Sequence, residues 1–245
     1  MSFYFLTGIP RAGNTILSSV FNQHPHAKIT AYSVLPLLIN NILLTKDNDR
    51  FKNFPDFKGI DNIIDNIFIN YYKHYNCKTI IDRAAWGFHL EILEHMPVNN
   101  KFIILHRPLL EVLASFVRVE KPTDVVKYCD DLLLKQSILS DALTSTQKII
   151  DSKKEYLLIT YDDLIKDICG CIKKICEFVN IDYIKPDLNN ITQLKINNVE
   201  YDDNVLSGNF HSIRTEKIVK NKNNIEDFLP KRVIDKYRNF DINFN

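Results

Sequence analysis

The chain has 245 residues, 45% of them hydrophobic and 25% charged, with a formal net charge of +1. This length suits one large α/β domain. The near-zero charge gives no general attraction to nucleic acid or to an anionic membrane, so any anion site has to be a local cluster. The longest apolar stretch, Val34 to Leu44, is interrupted by Pro36 and by Asn40–Asn41 and is too short to span a bilayer. The first residues carry no basic segment followed by a cleavable apolar core, which predicts no signal peptide. Five cysteines without scaffold spacing point to a reducing cytoplasm.

In chain order, four near-continuous apolar runs read as strands covered on both faces: Phe3 to Thr7, Thr79 to Asp82, Lys101 to His106 and Tyr156 to Thr160. Helical stretches follow each of them, at Asn14 to Asn22, Phe88 to His95, Leu109 to Val119 and Asp162 to Val179. The last has an apolar face of Leu164, Ile168, Ile172, Ile175 and Val179. Asp61 to Tyr75 reads as a further helix. Thr123 to Ile150 is a long amphipathic stretch whose Pro122-Thr123-Asp124 start looks capped. This alternation predicts a single α/β domain over residues 1–245, with a central parallel sheet flanked by helices. A polar C-terminal segment, about 186–245, has a short helix after Pro230 and is expected to fold over a ligand as a flap.

Residues 8 to 15 read Gly-Ile-Pro-Arg-Ala-Gly-Asn-Thr between the first strand and the first helix. There, backbone N–H groups and the helix dipole favour a bound phosphate. The spacing is Gly-x4-Gly, but Asn14 stands where a nucleoside-triphosphate loop has its lysine, which argues against ordinary ATP or GTP hydrolysis. The positive charge lies inside the loop, at Arg11. Taken alone, the segment reads equally as a plain strand-to-helix turn with an exposed arginine.

The stretch from Gly8 to Pro25, ending Asn22-Gln-His-Pro, resembles the 5′-phosphosulfate loop of the sulfotransferase family. The resemblance implies a P-loop-type fold and binding of 3′-phosphoadenosine 5′-phosphosulfate (PAPS). It places the phosphosulfate on Arg11 and on the loop residues Ala12, Gly13, Asn14 and Thr15. Ala12 and Asn14 replace hydroxyl residues common in the family, and backbone contacts survive both changes. A second segment, His106-Arg107 with Ser115 eight residues on, is similar to the family's 3′-phosphate motif. Eight residues is slightly over two helical turns, so hydroxyl and arginine can share a face, and together they suit one phosphate. A third, Tyr161-Asp-Asp-Leu after a strand, implies that Tyr161 contacts the nucleotide. A late His211-Ser-Ile-Arg214 is similar to a cluster that closes over the nucleotide in some members and makes Arg214 a candidate ligand; a solvated basic surface is the other reading.

Sulfuryl transfer, like phosphoryl transfer, is mainly a matter of positioning and charge stabilisation. Arg11 and Arg83 are the candidate cations at the reacting centre, and no metal is required. The family's usual histidine or glutamate base is missing, since Ala85 occupies one position and Lys28 to Ser33 contains no acid. Asp82 is the expected base and His89 the nearest alternative. The predicted activity is therefore PAPS-dependent sulfotransfer to a hydroxyl or amine of a small-molecule, glycan or peptide acceptor. A P-loop small-molecule or nucleotide kinase and a catalytically inactive nucleotide-binding module are the alternatives. Cys169, Cys171 and Cys176 lie along one helix and cannot all face one ion; Cys169 and Cys176 are expected to be reduced core residues.

Overall fold

The computed structural model describes residues 1–51, 53, 58–193, 195–196, 199–200 and 224–244. Its elements run β1 (Ser2–Gly8), α1 (Asn14–Phe21), β2 (Ala27–Ile29), α2 (Leu35–Lys46), α3 (Lys58–Tyr72), β3 (Thr79–Arg83) and α4 (Leu90–Glu94). They continue with β4 (Phe102–His106), α5 (Leu109–Glu120), α6 (Val125–Leu132), α7 (Ile138–Asp151), β5 (Tyr156–Thr160), α8 (Tyr161–Lys166) and α9 (Ile168–Phe178). A small antiparallel pair, β6 (Lys195–Ile196) and β7 (Val199–Glu200), precedes α10 (Lys231–Tyr237).

The main sheet has five parallel strands in the order β2-β3-β1-β4-β5. Strand periodicity divides its side chains between two cores. Tyr4, Leu6, Ile81, Ile103 and Leu105 pack with residues of α1, α5 and α9 on one face. Phe3, Phe5, Ile80, Phe102 and Ile104 pack with residues of α2, α3 and α7 on the other. Burial on both faces is why the central strands read as near-continuous apolar runs. The chain leaves β1 towards β2 and leaves β4 towards β5, so the connections diverge on either side of the β1/β4 pair. Open α/β sheets bind ligands at such a point, beyond the carboxyl ends of the strands.

All four expected strands are present, within a residue or two at each end. β2 was not expected: three residues at a sheet edge carry too little pattern to be read. The expected helix at 123–150 is two, separated where Gln136 adopts φ 68° and the Ser137 hydroxyl caps the next helix by accepting from Ser140 N at 3.2 Å. The stretch at 162–179 also divides, at Asp167, whose carboxylate caps α9 through Gly170 N at 2.8 Å. After β3 the chain makes a short 3-10 turn, Trp86–Phe88, before α4. Gly87 is needed there, because a Cβ on it would lie 1.9 Å from the Ser145 carbonyl oxygen of α7. Of the helix cysteines, Cys171 and Cys176 are buried and Cys169 is partly exposed; all three are free thiols.

Candidate active site

The site begins with the turn after β1. Ile9 N donates to Leu105 O at 3.1 Å, and Ala12 N donates to Ile9 O at 3.1 Å, which closes the turn on itself. Arg11 has φ 66° and Gly13 has φ 93°, both in the left-handed region. Glycine is the residue that takes this conformation without steric cost. Gly13 is then the N-cap of α1, and no side chain caps that helix. The first N–H groups of a helix have no intrahelical partner, so α1 presents uncapped donors and the positive end of its dipole at the sheet's carboxyl edge.

The amide of Asn14 belongs to that helix start, while its side chain is turned inward. Asn14 Nδ2 donates to Ile9 O at 2.9 Å, and the residue is buried. Its Oδ1 has no hydrogen-bond partner and lies where a Cβ on Gly8 would approach within 1.8 Å. Gly8 thus makes room for an asparagine that braces the loop from within. Ala12 is fully buried and contributes the shape of the turn, its N–H being already bound to Ile9 O. Thr15 is partly exposed in the first turn of α1.

Arg107, just past the end of β4, meets this loop directly. Its Nη1 donates to the Arg11 carbonyl oxygen at 3.0 Å. Its Nε donates to Glu111 Oε2 at 3.1 Å, and its guanidinium lies 4.1 Å from the centre of the Tyr161 ring. The Arg11 side chain in turn donates from Nε to Ser115 Oγ at 3.2 Å. Ser115 is buried on α5, as expected for a hydroxyl about two turns from the helix start. Residues 11, 107, 115 and 161, on four different elements or loops, therefore form one contiguous cluster. Glu111 was not singled out from the sequence, although its position four residues after Arg107 on a helix was the available signal.

On the other side of β1 lies Arg83, the last residue of β3, opposite Leu6 in the register. It is held from three directions. Arg83 N donates to Thr30 Oγ1 at 2.8 Å, Nη1 donates to Ala31 O at 2.6 Å, and Arg83 O accepts from Ser33 N at 2.8 Å.

Asp82, its neighbour, points to the opposite face, among Phe5, Phe68 and Trp86. It is completely buried. The Tyr72 hydroxyl donates to Oδ2, and Trp86 Nε1 donates to Oδ1 at 3.0 Å. The Ser33 hydroxyl lies 3.3 Å from that of Tyr72. Burial pushes the Asp82 carboxyl up to about 6, against the pull of its hydrogen bonds from Tyr72, Ser33 and Trp86. A carboxylate with no exposed surface offers no face to an incoming acceptor. His89, the alternative, is partly buried beside Trp86, and burial and Lys148 both hold its pKa below the usual value. Arg214 lies outside the described residues.

With this geometry in place, comparisons with known proteins are specific. The profile of the sulfotransferase family matches residues 4–185. The fold resembles that of a sulfotransferase from Alicyclobacillus acidocaldarius, with a TM-score of 0.51 at 14% identity over 76% of this chain and 84% of that one. It is also similar to the sulfotransferase domain of the Synechococcus PCC 7002 olefin synthase, with a TM-score of 0.50 at 19% identity over 87% of this chain and 88% of that one. A search of the curated proteins found no match. The matched span runs from β1 through α9 and contains the whole cluster around Arg11 and Arg107 as well as Arg83. The chain belongs to the sulfotransferase family.

Proposed function

We propose that this chain transfers a sulfuryl group from PAPS to an acceptor hydroxyl or amine. The observation that carries the reading is the hydrogen bond from Arg107 Nη1 to the Arg11 carbonyl oxygen. It brings together the two segments read as anion-binding, 96 residues apart in sequence, and in this reading a nucleotide phosphorylated at both ends of its ribose bridges them. The residues present suit such a ligand. Uncapped donors of α1 sit beside a glycine turn, and an arginine and a buried hydroxyl stand on the neighbouring strand's side.

In this reading the N–H groups at the start of α1, with Gly13, Asn14 and Thr15 contributing, bind the 5′-phosphosulfate. Arg107 and Ser115 bind the 3′-phosphate, and Arg11 lies between the two groups. The Tyr161 ring lies 4.1 Å from the Arg107 guanidinium, a cation–π contact that helps hold it in place. When bound, PAPS supplies a sulfuryl group already activated by its bond to phosphate. Arg11 and Arg83 stabilise the negative charge that gathers on the sulfonate and on the departing phosphate oxygen. The acceptor oxygen or nitrogen bonds to sulfur as the sulfur–oxygen bond to the nucleotide breaks, and the bond pair stays on the phosphate. In a loose transition state the new bond is little formed, so the acceptor keeps its proton until late and can release it to water. Asp82 then serves as a positioning residue: it fixes Tyr72 and Trp86 beneath the strand end that carries Arg83.

The test is thermal unfolding with 3′,5′-ADP, the product nucleotide, compared with ATP–Mg²⁺ and with no ligand. At about one hundred times Kd, 3′,5′-ADP should stabilise the fold by about 2.7 kcal/mol. For a chain of this size that corresponds to a rise in Tm of roughly 5–10 °C. Arg107→Ala should abolish most of the rise, while any effect of 5′-AMP should change little. Stabilisation by ATP–Mg²⁺ alone would favour a kinase and refute the reading.

A further inference from the structure

Between Lys28 and Lys46 the sequence holds seventeen residues and no charge. This segment includes α2 up to its final Lys46, and the helix is apolar except at Asn40, Asn41, Thr45 and Lys46. Its inner face, Leu35 and Ile39, is buried in the core with α3. Among the described residues its outer face is exposed: Leu37 is 61% exposed, with Val34 and Leu38 exposed beside it, while Leu44, 62% exposed, lies beyond the exposed Asn40 and Asn41. Tyr32, just before the helix, is 60% exposed. A helix with apolar residues on both faces is expected to be covered on both, and a contiguous exposed apolar patch marks a surface that meets something.

The patch starts at the reacting centre. Tyr32 stands between the two residues whose backbones hold Arg83, since Ala31 O accepts from Arg83 Nη1 and Ser33 N donates to Arg83 O. Across the carboxyl edge of the sheet the order is therefore the start of α2, then Arg83, then the loop after β1, then Arg107. Resting on the PAPS reading, the 3′-phosphate lies on the Arg107 side. The sulfuryl group then points towards Arg83, and an acceptor arrives over Tyr32 and α2. From Val34 to Leu38 the helix rises about 6 Å, and with Tyr32 before it this strip offers an apolar wall to an alkyl group. An uncharged surface offers no partner to a phosphorylated or acidic body, and desolvating a sugar against it would cost hydrogen bonds.

We infer that the acceptor is an alcohol with an uncharged, apolar body, laid along Tyr32, Val34, Leu37 and Leu38 with its hydroxyl beside Arg83. The hydroxyl oxygen takes the sulfuryl group, the bond pair leaves with the nucleotide's phosphate, and the proton passes to water.

Octanol and glucose are the probes. Binding is measured by calorimetry with saturating 3′,5′-ADP, and transfer is followed from radiolabelled PAPS. Octanol should bind and be sulfated, and glucose should do neither. Leu37→Asp, at an exposed position away from the nucleotide, should raise the KM for octanol about tenfold or more. The same variant should leave the KM for PAPS and the stabilisation by 3′,5′-ADP unchanged; Val34→Ser should act in the same direction with a smaller effect. Stabilisation by 3′,5′-ADP without binding or sulfation of octanol overturns this inference alone, whatever other acceptor is used. So does an octanol KM that Leu37→Asp does not move, including the case where that variant instead disrupts a dimer or binding to phosphatidylcholine vesicles. Absence of any 3′,5′-ADP effect overturns the PAPS reading and this inference with it.

Discussion

At the scale of a single residue, Glu111 stands where it would set the strength of the proposed 3′-phosphate site. Its carboxylate accepts from Arg107 Nε at 3.1 Å, on the same guanidinium that is proposed to meet the 3′-phosphate. The pair is an i,i+4 contact with the acid side chain 31% exposed, so its own contribution to stability is small. Its effect on a bound anion is larger in consequence, because it neutralises part of the charge the phosphate would use and competes for one of the donors. Glu111→Gln should therefore tighten 3′,5′-ADP binding by roughly two- to tenfold, as expected for removing one partly screened like charge. Titration calorimetry at low and high salt checks this, and the difference between variant and parent should shrink as salt rises.

At the scale of elements, the loop and α1 are fixed by shape as much as by charge. Gly13 has φ 93°, and a Cβ there would lie 2.7 Å from Leu164 Cδ2, on a fully buried side chain of α8. The residue thus sets the start of α1 and its close packing against the element that follows β5. Gly13→Ala combines a left-handed conformation, costing about 1–2 kcal/mol for a residue with a Cβ, with crowding in a packed core, which typically costs about 1–3 kcal/mol. Urea unfolding should show a loss of about 2–5 kcal/mol, and 3′,5′-ADP binding should weaken because the helix start moves. Gly59, at the exposed start of α3, has open space around it and serves as the control. Gly59→Ala should leave both quantities near their parent values.

Over the whole molecule, the buried Asp82 ties global stability to pH. Its carboxyl is held at about 6 by burial, above the ordinary value of 3.8 that applies to the unfolded chain. Between those values the folded protein keeps a proton that the unfolded chain has lost. Asp82 therefore stabilises the fold fully below about pH 4, and that contribution is lost as pH rises through about 6. The loss amounts to ~3 kcal/mol from this group. Asp82→Asn removes the titration while leaving an oxygen for Trp86 Nε1 and an amide that the Tyr72 hydroxyl can accept from. Denaturant unfolding at several pH values should show a slope between pH 4 and 6 in the parent that is flattened in the variant. A parallel pH dependence in the two proteins would remove Asp82 as its source.

The sequence by itself determined four of the five strands and the helices that cover them, because strands covered on both faces read as near-continuous apolar runs and β1, β3, β4 and β5 do. Both segments proposed to bind anions were also legible in it, since each depends on local order: a glycine turn that opens a helix, and an arginine eight residues before a serine. Other features were decided only by tertiary structure. The three residues of β2 owe their strand to the edge of β3, and the break at Gly87 to the close approach of Ser145. Asp82 was the expected base because it is one of the titratable groups nearest Arg83 in sequence, and only the packing of Tyr72 and Trp86 encloses it. The convergence of Arg11, Arg107, Ser115 and Tyr161 likewise required the sheet order, because contacts across a parallel sheet join residues that are far apart in the chain and leave no periodic trace in it.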